Sequence, residues 1–142
     1  MPGGGSVTFN SANWNSAQTI LIDGENDDVA DGDQGYRIDF DSVTSADPLY
    51  NNPALLPANV NLTNEDDDSV GINLVILDTI TDETGQQGSF TLALNSEPTA
   101  DVTITFHSTN TDEGTLPGGG SVTFNSTNWS SAQTVLITGA ND

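Results

Sequence analysis

Carboxylates are the side chains with chemistry to offer here, and they come in runs. Asp23 to Asp33 reads Asp-Gly-Glu-Asn-Asp-Asp-Val-Ala-Asp-Gly-Asp, six acids in eleven residues with no Lys or Arg among them. Two carboxylates held ~4 Å apart repel by roughly 4 kcal/mol at an effective dielectric of 20. Arg37 is the single basic side chain, so a folded loop of this kind needs a counter-charge from outside. A hard divalent cation supplies it, because Asp oxygens on short, turn-forming segments are what Ca²⁺ selects. The competing reading is a solvated acidic loop, the common fate of a charge run. A second run, Asn64-Glu65-Asp66-Asp67-Asp68, sets three adjacent like charges together. In all, 15 of the 21 acids fall in four clusters, at 23–33, 65–68, 78–83 and 112–113. A halophile surface with no specific metal would disperse them instead.

Other chemistries find little support. An EF-hand loop begun at Asp23 or Asp27 lacks the required Gly and the final Glu. Gly3-Gly4-Gly5 and Gly118-Gly119-Gly120 precede strands rather than a helix, so they read as turns and not as phosphate loops. His107 is the only His and has no thiol or metal-triad partner, which makes it a bystander. Paired carboxylates abound, but a glycosidase also needs a concave, aromatic-lined cleft, for which two Trp are too few. The expectation is a protein that is not an enzyme.

Composition narrows the partners. The 142 residues suit one ordinary domain with a real core. A net charge of −20 excludes nucleic acid and nearly excludes anionic membrane surfaces. Asp outnumbers Glu by 16 to 5, which points to turns and ligand loops rather than to a helical solubilising surface. No Cys is present, so neither disulfides nor thiolate metal sites help the fold. That is compatible with an extracellular bacterial module stabilised by ions. No signal peptide, transmembrane run or lipidation motif is seen, so an export signal is expected outside this segment.

The elements that must position the acids are short strands. An internal repeat organises them: Pro2–Asp27 aligns with Pro117–Asp142 at a constant offset of 115, with only five of 26 paired positions different. Met1 falls on Leu116, so the chain is expected to begin inside a repeat of a longer tandem array. Period-2 alternation predicts strands at Val7–Phe9, Gln18–Ile22, Gly35–Phe40, Val60–Leu62, Ile72–Ile76, Phe90–Leu94 and Val102–Phe106, and the opening pair recurs at Val122–Phe124 and Val135–Ile137. Residues 41–59 read as a long Pro- and Asn-rich loop. One 115-residue period thus holds seven strands, the count of an immunoglobulin-like antiparallel β-sandwich. Trp14 and Trp129 are expected to cap the sheet packing as core aromatics, with sugar stacking as the alternative.

These residues carry a family resemblance. Asp82-Glu83-Thr84-Gly85 resembles a Glu-x-x-Gly-type opening after the first strand segment. Thr111-Asp112-Glu113-Gly114 resembles the turn between the middle strands. Phe124 through Asp142, continued in the other copy by Asp28, Asp31 and Asp33, resembles a strand–strand–acidic-loop unit, and Asn64 to Asp68 resembles the acidic run that links one domain to the next. Together they resemble the Calx-β domain, the Ca²⁺-binding sandwich of sodium–calcium exchangers and large bacterial surface proteins. The phrases around Asn13-Trp14 and Ser45-Ala46-Asp47-Pro48 look like repeats of giant bacterial adhesins and RTX-type exoproteins. The turn near Asp112 lacks a longer Gly-Thr-Ala segment, and residues 41–59 are extra.

The resemblance implies that residues 1–68 are the C-terminal part of one repeat and 69–142 the N-terminal part of the next. Completion of a sandwich is then expected by strands from a neighbouring chain or a continuous fibre, rather than by folding back. It also implies Ca²⁺ ligands at one end of the sandwich: Asp27, Asp28, Asp31, Asp33, Asp66, Asp67, Asp68, Glu83, Asp112 and Glu113. The expected function is a Ca²⁺-stiffened structural repeat of an extracellular, cell-surface or secreted adhesin or fibre. Its partners are neighbouring repeats of the same protein, without nucleic acid or membrane insertion. The alternatives are a homopolymeric filament or matrix subunit built by strand exchange, and a carbohydrate-binding module.

Overall fold

The computed structural model describes residues 4–141. Gly3 of the first glycine turn and Asp142, the counterpart of Asp27, lie outside the described residues. Among these residues eight strands make three antiparallel sheets: β1 (Gln34–Ile38), β2 (Val60–Asn64), β3 (Ile72–Asp78), β4 (Gln87–Leu94), β5 (Val102–Thr105), β6 (Gly114–Thr115), β7 (Ser121–Phe124) and β8 (Gln133–Gly139). The first sheet is the β1–β2 pair, the second runs β3-β4-β8-β6, and the third is β5–β7. One 3₁₀ turn, Pro53–Leu55, interrupts the 41–59 loop, capped by the Asn52 side chain accepting from the Ala54 N–H. The protein is nearly all-β and antiparallel, in keeping with a sandwich.

Alternation explains which faces turn inward. In β5 and β7, Val102, Ile104, Val122 and Phe124 are shielded while Thr103 and Thr105 face out; the Thr103 and Thr123 hydroxyls share a 3.0 Å hydrogen bond on the outer face. β4 lies between β3 and β8 and is shielded on both faces, with Leu92 and Ala93 buried. Phe90 meets Phe106 edge-on across the two sheets, centroids 5.7 Å apart. Among the described residues the buried hydrophobic core is only Leu92, Ala93, Phe124 and Val135. Each fully buried side chain of this kind contributes about 1.5–3 kcal/mol, so the core is thin. β3 is an edge strand, and Ile72, Leu74, Val75, Ile76 and Leu77 on it all remain exposed.

The strands expected at Val7–Phe9 and Gln18–Ile22 are absent. Their counterparts 115 residues on are β7 and β8, so the sequence is competent and the difference is context. β7 pairs with β5, and β8 pairs with β4 and β6, whereas residues 4–24 meet no partner strand. β6, two residues long, is too short for alternation to reveal. Residues 27–141, one period, therefore carry eight strands rather than seven. Strand pairing does not cross the 65–71 link: β1 and β2 pair with each other, and β3–β8 among themselves. The turn before β7 takes the expected form, with Gly119 N–H donating to Leu116 O (3.0 Å) and Gly119 at φ +88°.

Gly24 and Gly139 occupy equal repeat positions in these unequal contexts. A Cβ at Gly139 would sit 2.5 Å from the Asp82 carbonyl oxygen, a backbone atom that cannot swing aside; at Gly24 it would meet the Asn64 side-chain oxygen, which can swing aside at the loss of its amide's bond to the Glu25 carbonyl. Gly139→Ala is expected to cost about 1–3 kcal/mol by overpacking, and Gly24→Ala less than about 1 kcal/mol. Urea midpoints of the two variants check this; equal losses contradict the assigned contexts.

Candidate metal centre

The acidic site follows from the β1–β2 hairpin. Gln34 is paired with Asn64 at the open end of this ladder. The residues entering β1 and those leaving β2 must therefore lie side by side, and both stretches are acidic. The Asp66 N–H donates to Asp33 Oδ1 (3.0 Å), and the Gly32 N–H donates to Asp66 Oδ2 (2.6 Å). Gly32 takes φ +81° to make this turn, a conformation costly for other residues. The Asn64 amide donates to Glu25 O (2.5 Å) and ties down the start of the loop. The Val29 N–H donates to Asp27 Oδ1 (2.9 Å) in an Asx turn. Glu25, Asp27, Asp31, Asp66, Asp67 and Asp68 all line the resulting cleft of about 30 Å³, room for one or two water-sized particles.

The cleft lies beside the 65–71 link that joins β2 to β3. Asp68 is half-buried between β2 and β3, and the Asp28 carbonyl accepts from the Glu97 N–H (2.6 Å) just after β4. Loss of hydration pushes the Asp68 carboxyl above its ordinary value of 3.8, reinforced by the charges of Asp67, Asp66, Asp28 and Asp27. Asp66 moves the other way: the N–H groups of Asp68 (2.9 Å) and Gly32 hold its carboxyl below 3.8. Arg37 offers no relief, since its guanidinium pairs with Asp39 at 3.1 Å. Asp27, Asp28, Asp31 and Asp33 are thus gathered beside Asp66, Asp67 and Asp68. They are gathered without being converged: among the described residues no three acidic or His side chains form a set that grips one ion.

Glu83, Asp112 and Glu113 lie elsewhere, exposed in turns. Among the described residues their hydrogen bonds run to their own turns or to the end of β8: Glu83 O accepts from the Asn141 amide (3.3 Å), and Glu113 O from the Ala140 N–H (2.9 Å). Residues 139–141 are the 115-residue counterparts of 24–26. Neighbouring Asp82 is a turn-former: its Oδ1 accepts from the Gln86 N–H, the Thr84 hydroxyl and the Thr84 N–H, and these bonds lower its pKa below 3.8. Sequence reasoning passed over Asn64, Asn26 and Gln34 in the cleft wall; the signal was present for Asn26, because Asn-Asp follows Gly-x in both copies. His107 is exposed, Trp129 half-buried and Trp14 exposed, so only the second Trp has the shielding expected of a core aromatic.

The shifts set a pH dependence. Asp68, raised, disfavours the folded state at neutral pH and stops doing so as acidification protonates it. Asp66 and Asp82, lowered, contribute stability above 3.8 that is lost as pH falls through their folded values. Without divalent cations, stability is expected to rise as pH drops from 7 towards mildly acidic values, then to fall below about pH 3.8. Melting temperature against pH in EDTA checks this, and a steady decline from pH 7 to 4 contradicts it.

No family model, curated protein or solved structure matches the chain. Among the described residues no helix is long and apolar enough to cross a membrane.

Proposed function

We propose that this chain is a Ca²⁺-binding structural repeat of an extracellular bacterial adhesin or fibre. In this reading its tandem β-sandwiches are of the immunoglobulin-like, Calx-β type, and Ca²⁺ stiffens the joint between successive ones. The observation that carries the reading is the crowding of Asp27, Asp28, Asp66, Asp67 and Asp68 at the joint with no basic side chain among them; lost hydration, and then these neighbouring charges, raise the Asp68 carboxyl. Ca²⁺ takes six to eight oxygens in flexible geometry, which suits carboxylates that are gathered but must still turn inward. Asp27, Asp28, Asp67 and Asp68 are the residues to hold it. Asp66 acts as the organiser, because both its oxygens accept backbone N–H groups from the two loops.

The bound ion supplies charge neutralisation. The chain supplies the rest: the Asn64 and Gly32 contacts hold loop 25–33 against loop 65–68, and Asp28 O ties that pair to Glu97. Calorimetric titration of Ca²⁺ into the protein tests the proposal. Saturable binding is expected, and the triple variant Asp66→Asn/Asp67→Asn/Asp68→Asn is expected to weaken it at least ~100-fold, about 2.7 kcal/mol. Equal heats from both proteins contradict it.

A further inference from the structure

We propose that residues 4–24 form a docking element for a second four-stranded unit of the β3–β6 kind, beside which they take the places that β7 and β8 take within this chain. The argument starts from one sequence in two settings. Phe124 is fully shielded and Val135 is 6% exposed, while their counterparts Phe9 and Ile20 are 51% and 62% exposed; Val7, Leu21 and Ile22 are exposed as well. Five large apolar side chains in one short stretch without cover form a surface that seeks a partner.

The free copy already holds the shape of the docked one. In the docked copy the Asn125 N–H donates to Asn128 Oδ1 at 2.7 Å, the Asn128 amide to Thr123 O at 3.3 Å, and the Gln133 amide to Thr123 O at 2.9 Å. In the free copy Asn10, Asn13, Gln18 and Thr8 make the same three bonds at 2.7, 3.3 and 2.9 Å. The backbone turn matches too, with Trp14 N–H to Asn10 O and Trp129 N–H to Asn125 O both at 3.0 Å. A turn that keeps its bound geometry without its partner has less ordering entropy to lose on docking.

The partner is defined by counting. Residues 4–141 carry two copies of the β7–β8 element, at 4–24 and at 119–139, but one β3–β6 receptor, filled by its own β7 and β8. Exchange of these elements between identical copies always leaves one uncovered, so it gains nothing. The occupant is therefore a further β3–β6 unit whose β7–β8 place is open. The 115-residue offset fixes the register: Phe9, Thr8 and Val7 opposite its equivalents of Val102, Thr103 and Ile104, and Ile20 and Ile22 opposite those of Phe90 and Gly88.

The test supplies that unit. Residues 69–115 are fused ahead of Met1, which stands at the position of Leu116, and amide hydrogen exchange is read by mass spectrometry at saturating Ca²⁺ and in EDTA. Protection of residues 18–24 is expected to rise at least ~100-fold towards that of 133–139, in both conditions, and Phe9→Asp is expected to abolish the gain while 133–139 stay protected. Unchanged exchange at 18–24 beside protected 133–139 overturns the proposal and leaves the calcium reading standing. Should the fusion lose protection at 133–139, Trp14 emission is read in the fusion carrying Trp129→Phe against the unfused Trp129→Phe protein: a blue shift supports the docking, and equal emission overturns it.

Discussion

Phe124→Ala is expected to lower stability by about 3–5 kcal/mol, and Phe9→Ala to change it by less than about 0.5 kcal/mol. The two residues share their sequence neighbourhood, Ser-Val-Thr-Phe-Asn-Ser, so propensity cannot separate them. Burial does. Phe124 is wholly enclosed opposite Val102, and its truncation leaves a cavity in a core of four buried hydrophobics. Phe9 already stands in water. Denaturant unfolding of both variants beside the parent measures the difference, and comparable losses contradict the assignment of β7 to the core.

The same pair shows how far sequence reading carries. Alternation at Ile72–Ile76, Phe90–Leu94, Val102–Phe106 and Val122–Phe124 located strands because those residues find partners within 72–139. Alternation at Val7–Phe9 does not locate one, because a strand is a property of two segments and residues 4–24 meet no partner strand. β6 was missed because its two residues owe their state to β8, pairing Gly114 with Gly139 and Thr115 with Thr138. At the acidic site, run-counting found Asp27–Asp33 and Asp66–Asp68, and the β1–β2 register brings them together. It could not find Asn64, whose amide closes the loop onto Glu25, since nothing in composition marks one Asn among many. Glu83, Asp112 and Glu113, which the resemblance marks as ligands, lie in other turns, Glu83 and Glu113 against the residues just after β8.

Saturating Ca²⁺ is expected to raise the melting temperature of the acidic part of the chain by roughly 10–20 °C. An ion at 100 times its dissociation constant adds ~2.7 kcal/mol per independent site, and 1 kcal/mol moves a domain of this size by about 4–8 °C. The physical source is relief of repulsion at the joint, where Asp68 sits half-dehydrated beside Asp67, Asp66, Asp28 and Asp27. Monovalent salt at equal ionic strength screens exposed charges over a Debye length, but it cannot tie loop 25–33 to loop 65–68, so its effect is expected to be smaller.

Both tyrosines, Tyr36 and Tyr50, lie between the two acidic runs, so the near-ultraviolet tyrosine signal follows the segment that the joint holds. The decisive measurement is its thermal transition in EDTA against millimolar Ca²⁺. A rise of 10 °C or more, lost in the Asp66→Asn/Asp67→Asn/Asp68→Asn variant, is the predicted result. Superimposable curves in EDTA and Ca²⁺ would contradict the claim that a divalent ion holds this joint.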